Sequence, residues 1–415
     1  MQHDELQLDN CVKCSDCNAA CPVAKVYPDY PGPKVLGPDM ERFRREGVPS
    51  DTVWVDYCTG CHGCDVACPH GVNVSELIAK GKAQHGKNGM QAFRDHWMAR
   101  PNVLGKLNVN MLPFSNVLLN LGLNRWLMSC AGHVTSQREL PTYHRETIRA
   151  AKDIAAKERV VFFPGCDIRY NKPSLGNTVV DLLRINGFSV EIAADVCCGM
   201  PATANGDSKQ LMQCVEGNTA MLGRAVEQGA LIVTACTSCS YALKADYAHI
   251  YGEAEPLGKI ARKVASHTYD LAELLTALLD AGRLNTDLRC TPHRLAYHAP
   301  CHLKSQGVGR PWLRLLRLVP GLEVEEIKAD CCGMAGTYGF KQEKYQISMD
   351  IGRELFEGIA AYDPEAVVTE CGPCQMQIEH GTKAKAMHPA EVFHSAYDPL
   401  STVYSHKGVS ASART

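Results

Sequence analysis

The chain has 415 residues, enough for two or three domains at about 100–200 residues each. With 45% apolar and 21% charged residues it can bury a sizeable core. A net charge of −2 argues against a protein built chiefly to grip nucleic acid. Cysteine is the outlier, at 21 residues. The opening MQHDELQLDN has no basic n-region and no apolar h-region, so nothing marks the chain for export. In a reducing compartment, patterned cysteines read first as metal or redox ligands. The composition predicts a cytoplasmic metalloprotein.

Two runs near the N-terminus set the theme. Cys11, Cys14, Cys17 and Cys21 precede Pro22, and Cys58, Cys61, Cys64 and Cys68 precede Pro69. Each is C-x2-C-x2-C-x3-C-P, the two-cluster ferredoxin run in which the fourth cysteine serves the other cluster. Three thiolates close in sequence wrap three corners of a cubane, and the fourth, a helical turn on, points away. The spacing assigns Cys11, Cys14, Cys17 and Cys68 to one [4Fe–4S] cluster and Cys58, Cys61, Cys64 and Cys21 to the other. Paired four-cysteine zinc sites are the alternative, but those usually arrive as separated C-x2-C pairs. The segment between the runs is rich in Pro and Gly, then turns helical near PDMERFRRE, with Pro38 and Asp39 as a start signal. It does not alternate like a hairpin. An α-helical two-cluster domain is expected, of the kind in iron–sulfur subunits of fumarate reductase-like complexes.

From Leu107 to Asn124 no residue is charged. Five asparagines and Pro113 argue against a membrane span. Asn116, Asn120 and Asn124 recur every four residues as a narrow polar stripe, while Phe114, Val117, Leu118, Leu119, Leu121 and Leu123 fill the rest. Arg94, Arg100 and Lys106 precede the segment, and Trp126 follows it. Such a helix can lie in a headgroup region; packing against a partner subunit or the chain's own core is the competing reading.

The second half is a duplication. Cys301 follows Cys166 by 135 residues, Cys331 follows Cys197 by 134, and Cys371 follows Cys236 by 135. Cys198, Cys332, Cys239 and Cys374 complete two five-cysteine arrays. Flanks repeat too: RVVFFPGC against RLAYHAPC, and LIVTACTSC against AVVTECGPC. In each repeat apolar strand candidates alternate with helical stretches, which predicts a parallel sheet with its site at the carboxyl ends of the strands. Gly199 and Gly333 would let the backbone approach a bulky cluster. Soft thiolates favour iron–sulfur or zinc. His298 and His302, beside Cys301, are possible cluster neighbours, although a histidine beside a strand end is more often simply packed. Cys130, Cys214 and Cys290 fall outside every pattern and read as core or incidental. Tyr247 and Lys244 carry no assigned role, and the polar tail is expected to be disordered.

These arrays resemble the tandem cysteine-rich (CCG) domains found in the B-type chain of heterodisulfide reductase, in the iron–sulfur chain of glycolate oxidase and in the C-type chain of anaerobic glycerol-3-phosphate dehydrogenase. The order of a double ferredoxin followed by two CCG repeats, and the segment YPDYPGPKVLGPDMERFR, are most similar to the last family. The resemblance implies an α+β multidomain chain: a two-cluster ferredoxin domain over 1–95, a helical linker over 96–157, α/β CCG domains over 158–285 and 286–400, and a tail over 401–415. It implies noncubane [4Fe–4S] clusters or zinc at Cys166, Cys197, Cys198, Cys236 and Cys239, and at Cys301, Cys331, Cys332, Cys371 and Cys374. It also implies flavoprotein partners of the A and B type. No dinucleotide fingerprint, Walker A run or nucleophile elbow occurs. The chain is therefore expected to conduct electrons from a partner's flavin towards quinone, peripherally on the cytoplasmic face of the inner membrane, and not to dehydrogenate. An iron–sulfur component of a glycolate or lactate oxidase, and a disulfide reductase acting at the CCG crevices, are the alternatives.

Overall fold

The computed structural model describes residues 8–48, 52–151, 158–194, 197–251 and 255–397. The polar tail lies outside them. Residues 8–132 contain no strand among the described residues, as the Pro/Gly-rich spacer predicts. The two cysteine runs fold alike. Lys13 and Ser15 in the first, and Gly60 and His62 in the second, occupy the same places and all have left-handed φ. Each run then enters a short helix, Asp16–Ala19 or Gly63–Val66, which carries the third cysteine. Repeated left-handed turns fold a loop around a concavity lined by backbone N–H groups, which suits an anion.

The spacer helix differs from expectation. It begins at Gly32–Lys34, passes through a π-helical turn over Val35–Asp39, and ends as Met40–Arg45. Pro38 thus sits inside the helical run and does not start it. The wider π turn accommodates a residue that has no N–H to give.

The second half contains two four-stranded, all-parallel sheets. In the first, β1 (Glu158–Phe163) lies between β2 (Phe188–Ile192) and β3 (Ala230–Thr234), with β4 (Thr268–Asp270) beyond β3. In the second, β5 (His293–Tyr297) lies between β6 (Leu322–Glu326) and β7 (Ala366–Val368), with β8 (Ala386–Met387) at the edge. Val160 pairs with Val190 on one side and Leu231 on the other. Leu295 pairs with Val324 and Ala366 in the same way. Because chain leaves the central strand in opposite directions, a crevice opens at the carboxyl ends of β1/β3 and of β5/β7.

Strand alternation decides how the repeats join. Val160 and Phe162 of β1, with Leu295 and Tyr297 of β5, belong to one continuous core. Val161 and Phe163 face a second core on the other side of the first sheet. Within the shared core, helix Pro173–Ile185 of the first repeat packs on Pro389–Ser395 of the second, and Leu271–Asp280 packs on Pro311–Leu316. These contacts are reciprocal, as a pseudo-twofold relation between duplicated units requires. Trp312 and Phe393 are fully buried there, and each such side chain contributes roughly 1.5–3 kcal/mol by leaving water.

An ionic network ties the N-terminal part to this pair. Asp95 accepts from Lys87 Nζ at 2.8 Å, Lys341 Nζ at 2.9 Å and Arg94 Nε at 2.9 Å. Arg94 also grips both oxygens of Glu343, and Lys82 donates to the Cys58 and Ala204 carbonyls. Burial alone would raise Asp95, yet Lys341, Lys87 and Arg94 hold its carboxyl well below the usual range. Asp95→Asn leaves those cations uncompensated and is expected to cost about 3–5 kcal/mol of stability near pH 7. Urea unfolding of the two proteins checks this; a loss below about 1 kcal/mol would show that the network is dispensable.

Candidate metal centres

The N-terminal cysteines form two groups. Cys14 is exposed, Cys17 is buried, and the Cys17 thiol is raised by burial and then by the nearby Cys11 and Cys14. Cys21, the fourth cysteine of the first run, faces the second run. Burial pushes it to about 11, with Cys58 adding to the rise, and Cys61 and Cys64 each feel Cys58 and Cys21 in turn. Cys68 is half-buried and accepts the Val72 N–H at 3.3 Å.

Each of the two arrays follows β-strand ends, and each strings its sulfurs in one order. Cys166, Cys197, Cys198, Cys239 and Cys236 are neighbours in that order, each near enough to shift the next. Cys301, Cys331, Cys332, Cys374 and Cys371 repeat that order position for position. Cys332 Sγ lies 3.2 Å from Cys374 Sγ. Contact with neighbouring sulfurs pushes Cys198, Cys331 and Cys371 down and pushes Cys197, Cys239, Cys332 and Cys374 up. Several thiols so close cannot all ionise unless a cation shares their charge. That demand, with purely soft donors, fits an iron–sulfur group or zinc and disfavours a hard cation.

Backbone shape fits too, although at another glycine than expected. A Cβ on Gly165 would meet Cys239 Sγ at 2.7 Å, so this residue keeps the wall of the first array open. At Gly333 and Gly199 the added Cβ would instead strike Ser348 O at 2.1 Å and Leu211 Cδ1 at 2.8 Å. Those two glycines serve left-handed turns packed on a following helix and do not clear space for a ligand.

The arrays and the second run share one cavity of about 840 Å³, reached by Cys58, Cys61, Cys198, Cys239, Cys301 and Cys332 among others. Cys61 and Cys331 are close enough to raise the charge cost of Cys61, second only to burial. Three rings meet at the junction, one from each part of the chain. His62 Nδ1 is 3.0 Å from Tyr241 OH, and Tyr241 stacks on His302 at 5.5 Å. His302 bridges Ser238 Oγ at 2.7 Å and the Gly60 carbonyl at 2.9 Å. Asp246 lines the same cavity; burial lifts it to about 7, against the pull of His62.

A family model for a 4Fe-4S dicluster domain matches residues 7–72, and one for a cysteine-rich domain matches 160–244 and again 295–379. The chain is 34% identical to the C-type chain of anaerobic glycerol-3-phosphate dehydrogenase from Escherichia coli K12 over 395 residues, 93% of this chain and 98% of the relative. The chain belongs to that dehydrogenase family of C-type chains. It is an iron–sulfur protein by its dicluster domain and its paired cysteine-rich domains. Two further relatives cover less of it. The B-type chain of fumarate reductase (CoM/CoB) from Methanothermobacter marburgensis is 30% identical over 64% of this chain and 53% of the relative. Lactate utilization protein A of Bacillus licheniformis is 28% identical over 57% of this chain and 97% of the relative.

Several residues of this C-type family member gain roles that sequence reasoning withheld. Tyr247 donates to the Cys198 carbonyl at 3.0 Å, and Asn218 donates to both the Cys197 carbonyl and Tyr247 OH at 2.8 Å. Together they clamp the vicinal pair. Lys244 pairs with Glu273 at 2.7 Å. Cys214 touches Cys197, which holds it down to about 7, while Cys130 and Cys290 are exposed and not core. His298 is fully buried, and its nitrogen lies within 4.8 Å of the Cys332 and Cys374 sulfurs. Nothing local in the sequence marks His62, Tyr241 and Asp246; only the docking of the ferredoxin part on the first repeat brings them together.

Asp246 supplies a test with a defined sign. Its folded-state pKa is raised above the unfolded value, so the unfolded chain releases the proton first and stability is lost as pH climbs between the two. Asp246→Asn removes that loss. Its melting temperature should gain on wild type from about pH 4 to about pH 7 and stay level above, by an equivalent of order 1–3 kcal/mol. Thermal melts across that range decide it; a gain that shrinks with rising pH would contradict the assignment.

Proposed function

We propose that this chain is the electron-transfer component of an anaerobic glycerol-3-phosphate dehydrogenase, accepting electrons from flavoprotein subunits of the A and B type and relaying them towards quinone. One observation carries the reading. The thiol groups run in sequence from the exposed Cys14 through the Cys21–Cys58–Cys61–Cys64 group to Cys331 and the chamber shared by both arrays. Ligand groups that pass from surface to interior make a conductor. Nothing in the chain provides a flavin or nicotinamide fingerprint, so the organic step falls to the partners.

In this reading Cys11, Cys14, Cys17 and Cys68 hold one [4Fe–4S] cubane, and Cys58, Cys61, Cys64 and Cys21 hold the other. The arrays at Cys166, Cys197, Cys198, Cys236 and Cys239, and at Cys301, Cys331, Cys332, Cys371 and Cys374, hold two further noncubane clusters. When bound, such groups supply one-electron steps. The protein's part is to exclude water, fix the separations and offset charge, as Lys82 does at the Cys58 carbonyl. Partner docking belongs where the two runs reach the surface, at Val12 of the first and Val66 of the second, which are 59% and 63% exposed.

Attachment to the cytoplasmic face of the membrane belongs to the middle segment. Helices Pro101–Asn110, Phe114–Asn120 and Gly122–Gly132 replace the single helix expected there. The asparagine stripe is not turned to solvent. Asn116 exchanges two 2.9 Å hydrogen bonds with the Tyr143 backbone, and Asn120 accepts from Leu140 N–H. The apolar side is what faces out, with Phe114 71%, Leu123 69% and Trp126 57% exposed. No described helix is long and apolar enough to cross a bilayer. A surface-lying contact uses such a face.

Two experiments test the reading. Anaerobically purified protein should contain about sixteen irons per chain, and Cys14→Ser should lose about four without disturbing the rest. About eight irons, with zinc in the arrays, would confine conduction to the N-terminal part. Binding to vesicles of anionic phospholipid should fall at least about tenfold in a Leu123→Glu, Trp126→Glu double variant. Unchanged binding would move attachment elsewhere.

A further inference from the structure

We propose that His298 is a nitrogen donor to the metal group of the second array, so that the two arrays are chemically unlike. The proposal deepens the reading that these thiols hold metal and depends on it.

His298 follows directly on β5. Its backbone N–H donates to Val368 O at 3.0 Å, which fixes the strand end, and its side chain is fully buried. Among the described residues neither ring nitrogen has a hydrogen-bond partner. Buried polar groups are very rarely left so. The ring nevertheless has neighbours of one kind. A ring nitrogen and the sulfurs of Cys332 and Cys374 all lie within 4.8 Å of one another, with the sulfurs 3.2 Å apart. Two sulfurs and a nitrogen in a triangle of that size can share a single metal ion. A metal there would satisfy the imidazole that the protein itself leaves unserved.

The duplication supplies an internal control. Counting back from Cys166 and Cys301, the residue of the first repeat at this place is Phe163. Phe163 is fully buried in one core with Cys198 and Cys239, the counterparts of Cys332 and Cys374. One position, at the end of the corresponding strand and in the core beside the corresponding two cysteines, thus offers hydrocarbon in the first repeat and an imidazole in the second. The first array is all sulfur; the second has five sulfurs and one nitrogen. A neutral imidazole adds a donor without adding negative charge, so the two arrays differ in donor set and not in the number of thiolates.

The test uses the full chain, purified without air from cells grown with natural or 15N-labelled histidine. Iron and zinc are counted, and pulsed EPR is recorded on each paramagnetic signal. His298→Phe is the matching variant, since Phe163 shows that the fold accepts this ring there. The expected result is a nitrogen coupling that changes with the isotope on one non-ferredoxin signal. In His298→Phe that coupling vanishes, and the iron count of the ferredoxin run is kept. If the arrays contain zinc, the same comparison is read at the zinc absorption edge as one nitrogen neighbour lost. With metal present, absence of any histidine coupling in the unmodified chain, or a coupling that survives in His298→Phe, overturns the proposal. Metal counts showing both arrays empty would overturn the underlying reading instead, so the two failures are told apart.

Discussion

A thiol surrenders its proton only where something positive takes up the charge, and sulfurs pressed together inside a protein leave water little room to do so. That constraint organises this molecule. The sulfurs of each array stand in mutual contact at the mouth of a parallel sheet, and those of the second ferredoxin run face Cys331 across the same chamber. Everything nearby is arranged to make such crowding tolerable. Backbone N–H groups point at sulfur, as from Gly60 to Cys58 and Gly333 to Cys331 at 3.4 Å. Lys82 and Lys344 are buried with their ammonium groups on carbonyls beside the second run. Such sites couple metal binding to folding, because the unloaded arrangement is electrostatically costly.

The duplication solves a second problem. One α/β repeat has two faces to cover but only one site to display. By placing Pro173–Ile185 on Pro389–Ser395, and Leu271–Asp280 on Pro311–Leu316, the two repeats bury their inner faces on each other. Both strand-end crevices then open towards the ferredoxin part. His388 of the second repeat reaches the Ala235 carbonyl at 3.0 Å, one residue before Cys236. Asp167 of the first touches the start of the helix after Cys371, where a carboxylate suits the positive end of the helix dipole. Each array is thus braced by the other repeat.

How much of this can be read from residues alone follows from the range of the forces involved. The cysteine runs, the repeat, and strands β1, β2, β3, β5, β6 and β7 are legible because local spacing and apolar patterning dictate them. Edge strands β4 and β8, of three and two residues, are not, since too few residues carry a period. Pro38 misleads because a proline signals a helix start unless a π turn surrounds it. The asparagine stripe is visible in the sequence, but its direction depends on residues 140–143, which the spacing cannot place. His62, Tyr241 and His302 come from three separate parts of the chain, so their meeting is a property of docking and leaves no trace in any one segment. Gly165 does not stand out beside Gly199 and Gly333 because all three have left-handed φ, and only the neighbour of the absent Cβ tells them apart.

The shared core also bears on how the chain is made. When a ribosome has finished Leu271–Asp280, the first sheet and its helices are complete, yet the outer sides of those helices have no cover. The segment that covers Pro173–Ile185 begins at Pro389, about a hundred residues later, or on the order of ten seconds of synthesis. For that interval the side of Pro173–Ile185 that meets Pro389–Ser395 stands open, beside the crowded sulfurs of the first array. A nascent chain in that state exposes apolar surface of the kind that makes incomplete chains prone to aggregate.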